Sequence, residues 1–470
     1  MKISKIVAFS LGPIGGAALG LITLPIIAWF YSAEDIGRVA MLQVVSSFCI
    51  LLFGLGLDQA YVREFHEVDN KSELLKTALL PGLAFLIVVL LMCLVRPDFI
   101  SSFIFGMHGV SLSILVSLCI LGGFVSRFLS LILRMQEKGF AYSMSQLLPK
   151  LIFLSVIGVY VFYSFGLDLL HLVVAHTLSI LTVTFVYAWN TREEWLLALR
   201  CKINPRKLKA MLRFGAPLIM GGVAFWGLTT MDKLFLRSLS TFEELGIYSV
   251  ATSFAAAAIV FQSIFSTVWA PTVYKWVAEG ADSDGIDRVT DYMLTTVVFL
   301  FALAGFFSWL VTYLLPEKYS KVQYLIAACM AYPLFYTLSE ATAIGISITR
   351  RTSYSMWASV IAVLVNMLGN YLLVPMCGAV GAAISTAFAF WVFLVCRTEF
   401  SCYLWRKIPR IKLYFLTFAC LQLAIFSAIT SGSYQFLLLS GWVFLIFLTL
   451  ALQAKSVILA VRLLVTSIKQ

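Results

Sequence analysis

The sequence predicts an all-α integral membrane protein of about fourteen transmembrane helices, in two pseudo-symmetric six-helix bundles with two further C-terminal helices. Its 470 residues are 61% hydrophobic and only 12% charged, with a mean hydropathy of +0.96. Soluble domains are about half apolar and a quarter charged. About fourteen segments reach the roughly 20 apolar residues that a helix needs to cross a bilayer, and similar blocks recur in the two halves of the chain.

The two halves begin with the same pattern. Each opens with basic residues and a long apolar run, which ends in a short turn with a hydroxyl residue, two acidic residues, an aliphatic residue and glycine: 32–37 (SAEDIG) and 241–246 (TFEELG). A second pair of matching turns contains Gly166 and Gly378. Both pairs are about 210 residues apart, and a near-constant offset indicates two copies of one structural unit.

This repeat, together with the composition of the loops, predicts four segments. They are an N-terminal six-helix bundle (1–190), a basic cytosolic linker helix (191–213), a C-terminal six-helix bundle (214–396), and two extra transmembrane helices with an amphipathic tail (397–470). A helix is expected to begin in the linker because Asn204 is a favourable N-cap residue and Pro205 is favourable at the first helical position.

The basic residues are distributed unevenly between the two sides of the predicted spans. If the N-terminus is cytosolic, most of the 34 lysines and arginines fall in cytosolic loops and tails, which is the positive-inside pattern. Both termini and residues 191–213 are therefore predicted to lie in the cytosol. The net charge of +11 follows from this topology, so no nucleic-acid partner is expected. The cations of 191–213 are expected to contact anionic membrane lipids.

The nine cysteines lie mostly inside apolar runs and show no paired spacing. We therefore expect neither a disulfide framework nor a metal site, and no cofactor. No catalytic constellation of side chains is present in the sequence, and the chain is predicted not to be an enzyme.

Glycine recurs every four residues in the first span, at Gly12, Gly16 and Gly20. This spacing places bare backbone on one helix face and predicts a close contact with a neighbouring helix. Pro13 and Pro25 interrupt the same span, so a second interpretation is a helix that bends during transport.

Several blocks of the sequence resemble one family of membrane transporters. They are SAEDIG, LGLDQAYVRE (55–64), FGAPL (214–218), ELGIYSVA (244–251) and NMLGNYLLVPMCGAVGAA (366–383). Together they resemble the bacterial lipid-linked oligosaccharide flippases, which are the O-antigen and capsule polysaccharide transporters of the multidrug/oligosaccharidyl-lipid/polysaccharide superfamily. The resemblance covers nearly the whole chain.

This resemblance implies a fold, a cargo and a location. The fold has two six-helix bundles facing a central cavity that carries cations. The cargo is an undecaprenyl-pyrophosphate-linked glycan, such as an O-antigen, capsule or exopolysaccharide repeat unit, and it moves from the cytosolic to the periplasmic leaflet of the bacterial inner membrane by alternating access. A polysaccharide polymerase and a chain-length regulator are candidate partners.

Four charged residues of the first half are candidate substrate-binding residues. Arg127 and Lys150 lie inside apolar spans, where a cation is costly unless it pairs, faces water or extends to the interface. For both, lining of a cavity and extension to the inner interface stay open. Asp58 and Arg63 lie at the cytosolic end of the second span and are five residues apart. Each is expected to pair with another helix or to meet a lipid headgroup.

Five polar residues of the second half complete the candidate site. Asp232 and Lys233 are adjacent in span seven, so their side chains point in different directions. Lys233 can extend outward, whereas Asp232 needs a partner on another helix or serves in coupling. Glu340 has no basic residue within one turn; it is a candidate proton or cation site, or a partner for a cation across the cavity. Asn366 and Asn370 share one helix face and suit either another helix or a sugar hydroxyl.

Two other functions are alternatives to the flippase. A cation-coupled drug or metabolite antiporter of the same superfamily needs carboxylates inside the membrane. Asp58, Asp232 and Glu340 are present beside Arg127 and Lys150, a balance that favours an anionic cargo. A membrane polysaccharide polymerase needs a large outer loop or a catalytic cytosolic domain, and the predicted loops are too short for either.

The predicted topology can be tested with single cysteines in a variant without the nine native ones. A membrane-impermeant thiol reagent should label residues 97–109 in intact cells and residues 191–213 only after permeabilisation, because the positive-inside pattern places the basic segment in the cytosol. Labelling of residues 191–213 in intact cells would overturn the assigned orientation.

Overall fold

A computed structural model describes residues 3–279 and 284–452, and every regular element within them is helical. The chain forms two compact units, Met1–Lys233 and Leu234–Gln470. The bundle limits predicted from the sequence repeat remain predictions, since compactness and repetition are different properties. The predicted amphipathic tail lies outside the described residues from 453 onward.

The first unit contains nine complete helices and most of a tenth. They are α1 (Ile3–Phe30), α2 (Ala33–Phe53), α3 (Leu57–Glu64), α4 (Lys71–Leu94), α5 (Phe99–Phe105), α6 (Val110–Met135), α7 (Gly139–Phe162), α8 (Leu169–Asn190), α9 (Arg192–Arg200) and α10 (Pro205–Leu239). The helix start predicted at Pro205 is confirmed. The Asn204 Oδ1 accepts hydrogen bonds from the backbone N–H groups of Arg206 (3.1 Å) and Lys207 (3.2 Å).

The second unit continues with nine helices and two short 3₁₀ turns. The helices are α11 (Phe242–Phe254), α12 (Ala256–Ala278), α13 (Asp284–Phe306), α14 (Val322–Thr342), α15 (Ile344–Ile348), α16 (Ser353–Cys377), α17 (Ala379–Leu404), α18 (Ile411–Thr430) and α19 (Gln435–Leu452). The 3₁₀ turns are Ser308–Tyr313 and Glu317–Tyr319.

The membrane class predicted from hydropathy is confirmed. Within the described residues, 13 helices are long and apolar enough to cross a bilayer, and α1 adds the shorter apolar segment Ile14–Phe30. The chain is therefore a multi-pass, all-α membrane protein, as its composition indicates.

The two matching turns have the same local structure. Ser32 caps α2, and its hydroxyl accepts a hydrogen bond from the backbone N–H of Asp35 at 3.0 Å. Thr241 caps α11 and accepts in the same way from Glu244 at 3.2 Å. A hydroxyl at the N-cap satisfies an N–H that has no partner inside the helix, which is why both copies of the turn begin with such a residue.

One helix in each unit is surrounded by the others. In the first unit α6 packs against α2, α4, α7 and α8, and 56% of its apolar membrane-spanning segment is buried. In the second unit α14 packs against α11, α12, α13, α17 and α18, and 78% of its apolar segment is buried. Arg127 lies on α6 and Glu340 on α14, so two of the candidate charges are on these central helices.

The glycine repeat of α1 forms the close contact that its spacing predicts. A Cβ at Gly12 would lie 2.8 Å from the Cα of Ser143 on α7, and a Cβ at Gly20 would lie 3.0 Å from the Nζ of Lys150. The Lys150 ammonium donates a hydrogen bond to the backbone carbonyl of Gly16. The absence of side chains on this face thus allows α1 and α7 to approach closely.

A bulkier residue at Gly12 should destabilise the protein. In Gly12→Val the new side chain meets the backbone of Ser143, which cannot move aside, and overpacking of this kind costs about 1–3 kcal/mol. Gly158→Val on α7 is the matched control, because a Cβ there has no neighbour within 4 Å. Thermal unfolding in detergent should show a lower midpoint for Gly12→Val than for the control. Equal midpoints would contradict the close contact.

Candidate functional site

A left-handed turn between α2 and α3 positions the first candidate residue. Leu55 and Gly56 have φ angles of 51° and 66°, a region that glycine adopts without strain. A Cβ at Gly56 would lie 2.6 Å from the Cα of Gly215 on α10, so only glycine fits this contact. The chain reverses here and begins α3, which places Asp58 in the first turn of that short helix.

Asp58 and Arg127 form an ion pair between α3 and α6. The Asp58 Oδ2 accepts hydrogen bonds from Nη2 of Arg127 at 2.9 Å and from Nε at 3.3 Å. The carboxylate is mostly covered, with 17% of its side chain exposed, whereas the Arg127 side chain is 45% exposed. A guanidinium carries five N–H donors, so this pairing leaves Arg127 with further donors.

A cavity of about 430 Å³ lies beside this pair within the first unit. Its polar side is formed by Asp58, Gln59 and Arg127, and its apolar side is formed mainly by residues of α2 and α10 such as Leu51 and Leu218. Arg127 thus lies in the wall of a cavity. Its role in binding a substrate stays a prediction.

Two further candidate cations of the first unit, Arg63 and Lys150, lie apart from the pair. The Arg63 guanidinium sits over the ring of Phe214, 4.5 Å from its centroid, which is a typical cation–π distance. Lys150 lies in the α1–α7 contact, bonded to Gly16. Neither lines the cavity beside Arg127.

Asp232 is buried near the end of the first unit, with 3% of the residue exposed. Its Oδ1 accepts a hydrogen bond from the backbone N–H of Lys233 at 2.9 Å. The two adjacent residues are thus joined by a bond from backbone to side chain. A role of either residue in coupling remains a prediction.

Asn366 and Asn370 belong to the contact between α16 and α17. The Asn366 amide donates to the hydroxyl of Thr386 at 3.1 Å, and the Asn370 amide donates to the Asn366 side-chain oxygen at 3.0 Å. Both residues are buried. The sequence leaves open whether these residues bond to another helix or to a sugar hydroxyl, and in the structure Asn366 bonds to another helix.

Glu340 lies within a polar cluster of the second unit. The hydroxyl of Ser266 on α12 donates to its carboxylate, and the indole N–H of Trp269 donates to its backbone carbonyl at 3.1 Å. This carbonyl is near the end of α14, where helical carbonyls lack partners within the helix. Two residues of α12 therefore hold the end of α14.

Arg397 was missed by the sequence analysis, which ends the second bundle at residue 396. In the structure α17 continues to Leu404, and the Arg397 Nη1 donates to the hydroxyl of Ser339 at 2.8 Å. Its guanidinium also lies 5.2 Å from the ring centroid of Phe393. Ser339, which accepts the hydrogen bond from Arg397, directly precedes Glu340 on α14. Glu340 therefore has a cationic neighbour on another helix, although it has none on its own.

A sequence signal for this longer helix exists. No proline or glycine follows Phe390 until Pro409, and these are the residues that most often mark the end of a helix.

Among the residues that the structure describes, no group of three or more histidine, cysteine or acidic side chains is placed to hold a metal ion.

A double-mutant cycle should show that Glu340 and Arg397 are coupled. Removing either charge leaves the other half-buried and without its opposite charge. The double variant Glu340→Gln/Arg397→Leu should therefore lose less free energy of unfolding than the sum of the single variants, with an interaction energy of about 0.5–3 kcal/mol. The measurement is unfolding in detergent. Arg406→Leu replaces Arg397→Leu in the control cycle, because Arg406 pairs with Asp287 at 2.6 Å. Additive effects in both cycles would exclude the coupling.

Comparison with known proteins shows the family to which the chain belongs. Residues 3–277, more than half of the chain, match the model of a family described as polysaccharide biosynthesis protein. No curated protein matches the chain at a significant level. The solved structure of lipid II flippase MurJ in an inward closed conformation shares the fold with a TM-score of 0.68, at 14% identity over 96% of this chain and 100% of that chain.

Two structures of MATE proteins are also similar in fold. An inward-facing multidrug resistance MATE family transporter of the MOP superfamily has a TM-score of 0.55, at 17% identity over 83% of this chain and 95% of that chain. A point mutant of a MATE protein has a TM-score of 0.51, at 15% identity over 85% of this chain and 95% of that chain. These neighbours are transporters and not enzymes. The chain thus belongs to the polysaccharide biosynthesis protein family, and it has the fold of the MOP superfamily of transporters.

Proposed function

We propose that this protein flips a polyprenyl-pyrophosphate-linked oligosaccharide from the cytosolic to the periplasmic leaflet of a bacterial inner membrane, by alternating access. The observation that carries the proposal is the position of Arg127. This residue lies on the central membrane helix α6, and its guanidinium forms part of the wall of a cavity. A cation at such a position is costly and is most often functional.

The chemistry of Arg127 suits a pyrophosphate. Its planar fork of N–H donors matches phosphate oxygens, and such charge-assisted hydrogen bonds are about twice as strong as neutral ones. Asp58 holds one edge of the guanidinium, which fixes its orientation before the cargo arrives.

The acidic partner also limits how tightly an anion binds. A carboxylate beside Arg127 repels the pyrophosphate, and at ion-pair distance this repulsion is substantial in a medium less polar than water. A transporter must release its cargo on the far side, so moderate affinity suits this function better than a site with only cations.

Membership of the family supports a cargo from polysaccharide biosynthesis, but it does not identify the glycan. Proteins of polysaccharide biosynthesis handle O-antigen, capsule or exopolysaccharide units, and we propose one of these as the cargo, carried on undecaprenyl pyrophosphate. A polysaccharide polymerase and a chain-length regulator are the expected partners in that process.

A cation-coupled antiporter is the second candidate, and the cluster around Glu340 favours it. Glu340 accepts a hydrogen bond from Ser266 and follows Ser339, the residue that Arg397 binds. A carboxylate in such surroundings is a candidate site for a coupling proton. In that case Glu340→Gln would abolish the dependence of transport on a proton gradient, whereas the flippase proposal does not require this dependence.

Removal of the Arg127 charge should reduce transport strongly. Hydrogen bonds to charged groups contribute about 1.5–3 kcal/mol, so Arg127→Ala should lower translocation of lipid-linked oligosaccharide in proteoliposomes by roughly 10- to 100-fold. Arg127→Lys should retain part of the activity, because the charge persists without the forked geometry.

Arg134→Ala is the matched control for this experiment. Arg134 lies two turns further along α6 and is exposed, so its loss should change transport little. Wild-type activity in Arg127→Ala, at equal protein level, would remove Arg127 from the site and with it the basis of the proposal.

A further inference from the structure

A preformed apolar groove lies behind the helix that carries Arg127. Its volume is about 330 Å³, and it is enclosed by leucines of α4 such as Leu79 and Leu83, by Val125 and Leu129 of α6, and by Trp195 of α9. This volume is within the range of pockets that bind small molecules, about 300–1,000 Å³. The groove therefore has the size of a binding site and an almost wholly apolar lining.

The short helix α9 is held in place over the groove from three sides. The Lys76 ammonium of α4 donates to the backbone carbonyls of Leu199 (2.8 Å) and Cys201 (2.7 Å) at its end. The Trp195 indole donates to the Ala188 carbonyl of α8 at 2.7 Å. The Gln136 amide, after α6, donates to the carboxylate of Glu194. Because the positions of these groups are fixed, the groove does not need a ligand to form.

The outer surface of α9 indicates the level of the membrane interface. Leu196, Leu197 and Leu199 are 49%, 55% and 64% exposed, while Arg200 and Lys202 are exposed beside them. A helix with apolar and basic surfaces of this kind lies in the plane of the headgroups. Among the ion pairs that the described residues form, none involves Arg200 or Lys202.

We propose that this groove is a specific site for an anionic phospholipid of the leaflet that α9 contacts. One acyl chain lies among the leucines of α4 and the residues of α6, and the headgroup phosphate is bound by Arg200 and Lys202. The charges select the occupant: the acidic residues of α9, Glu193 and Glu194, lie in its first turn, whereas Arg200 lies in its last turn and Lys202 follows it. This end of the helix therefore presents cations to an anionic headgroup.

The occupant is a phospholipid and not the polyprenyl tail of the cargo. The lining residues lie in the first half of α4, in the second half of α6 and at the end of α8, so the groove reaches only part of the way across the membrane. A cargo lipid must change leaflets, whereas a resident lipid stays at one level. The length of the groove therefore suits a resident lipid that stays in one leaflet.

The site bears on the function through α6. Val125 and Leu129 are one turn apart and face the groove, and Arg127 between them lies on the opposite side of the helix. A bound acyl chain thus packs behind the residue that pairs with Asp58. This consequence for transport rests on the proposed function, whereas the lipid site itself does not.

Native mass spectrometry of the full-length protein tests the site without any transport assay. The probes are phosphatidylglycerol and phosphatidylethanolamine with identical acyl chains, titrated into the detergent-solubilised protein. Wild type should retain one phosphatidylglycerol more tightly than phosphatidylethanolamine. Arg200→Gln/Lys202→Gln should lower this affinity on the order of fivefold for each cation removed. Arg350→Gln/Arg351→Gln, in another basic loop, is the control of equal charge change.

A second variant tests the groove itself. Leu79→Trp fills it and should displace the bound lipid, whereas Leu91→Trp, at a lipid-facing position of the same helix that is 61% exposed, should not. Equal retention of both phospholipids, or unchanged binding in the Arg200 and Lys202 variant, would overturn the proposal. Displacement of phosphatidylglycerol by undecaprenyl phosphate at equal concentration would also overturn it, by assigning the groove to the cargo lipid.

Discussion

The structure depends on one constraint: a charged or strongly polar side chain inside a membrane-spanning bundle must find its partner on another helix. The Asp58 carboxylate meets Arg127 across α3 and α6, and the Lys150 ammonium meets a backbone carbonyl of α1. Glu340 meets Ser266 of α12. Because each of these bonds joins two helices, the polar side chains that are candidates for binding a charged cargo also hold the helices together.

Glycine and helix ends make these bonds geometrically possible. The Lys150 ammonium reaches the Gly16 carbonyl because α1 has no side chains in the way, and Asp58 reaches α6 because the turn at Gly56 starts a new helix at that level. In the second unit the break after Thr342 exposes a carbonyl that Trp269 satisfies. A continuous, fully side-chained helix would offer none of these positions. Helix faces without side chains, turns and helix ends therefore determine where these polar contacts form.

The sequence was sufficient to predict the fold class, because hydropathy and segment length alone set it. For Asp58 it predicted a partner on another helix or a lipid headgroup, and for Arg127 it left open the lining of a cavity and extension to the inner interface. It was not sufficient to predict that they pair with each other, since they are 69 residues apart and periodicity carries no information on contacts between distant helices. Arg397 was missed for a different reason. The predicted span ends before this residue because Arg397 is charged. A helix can continue past a charged residue that bonds to a neighbouring helix, as Arg397 does with Ser339.

The pairing of Arg127 changes what a cationic cavity means for a flippase. An unpaired guanidinium would bind a pyrophosphate tightly, and each 1.4 kcal/mol of extra affinity slows release by about tenfold if binding rates are unchanged. A guanidinium that already bonds to a carboxylate exchanges part of one interaction for another when the anion arrives, so the net gain is smaller. On the proposed function, Asp58 has two roles. It makes a cation tolerable within the membrane when the cavity is empty, and it keeps the affinity low enough for the cargo to leave. A cavity with a balanced pair suits repeated transport better than one with an excess of positive charge.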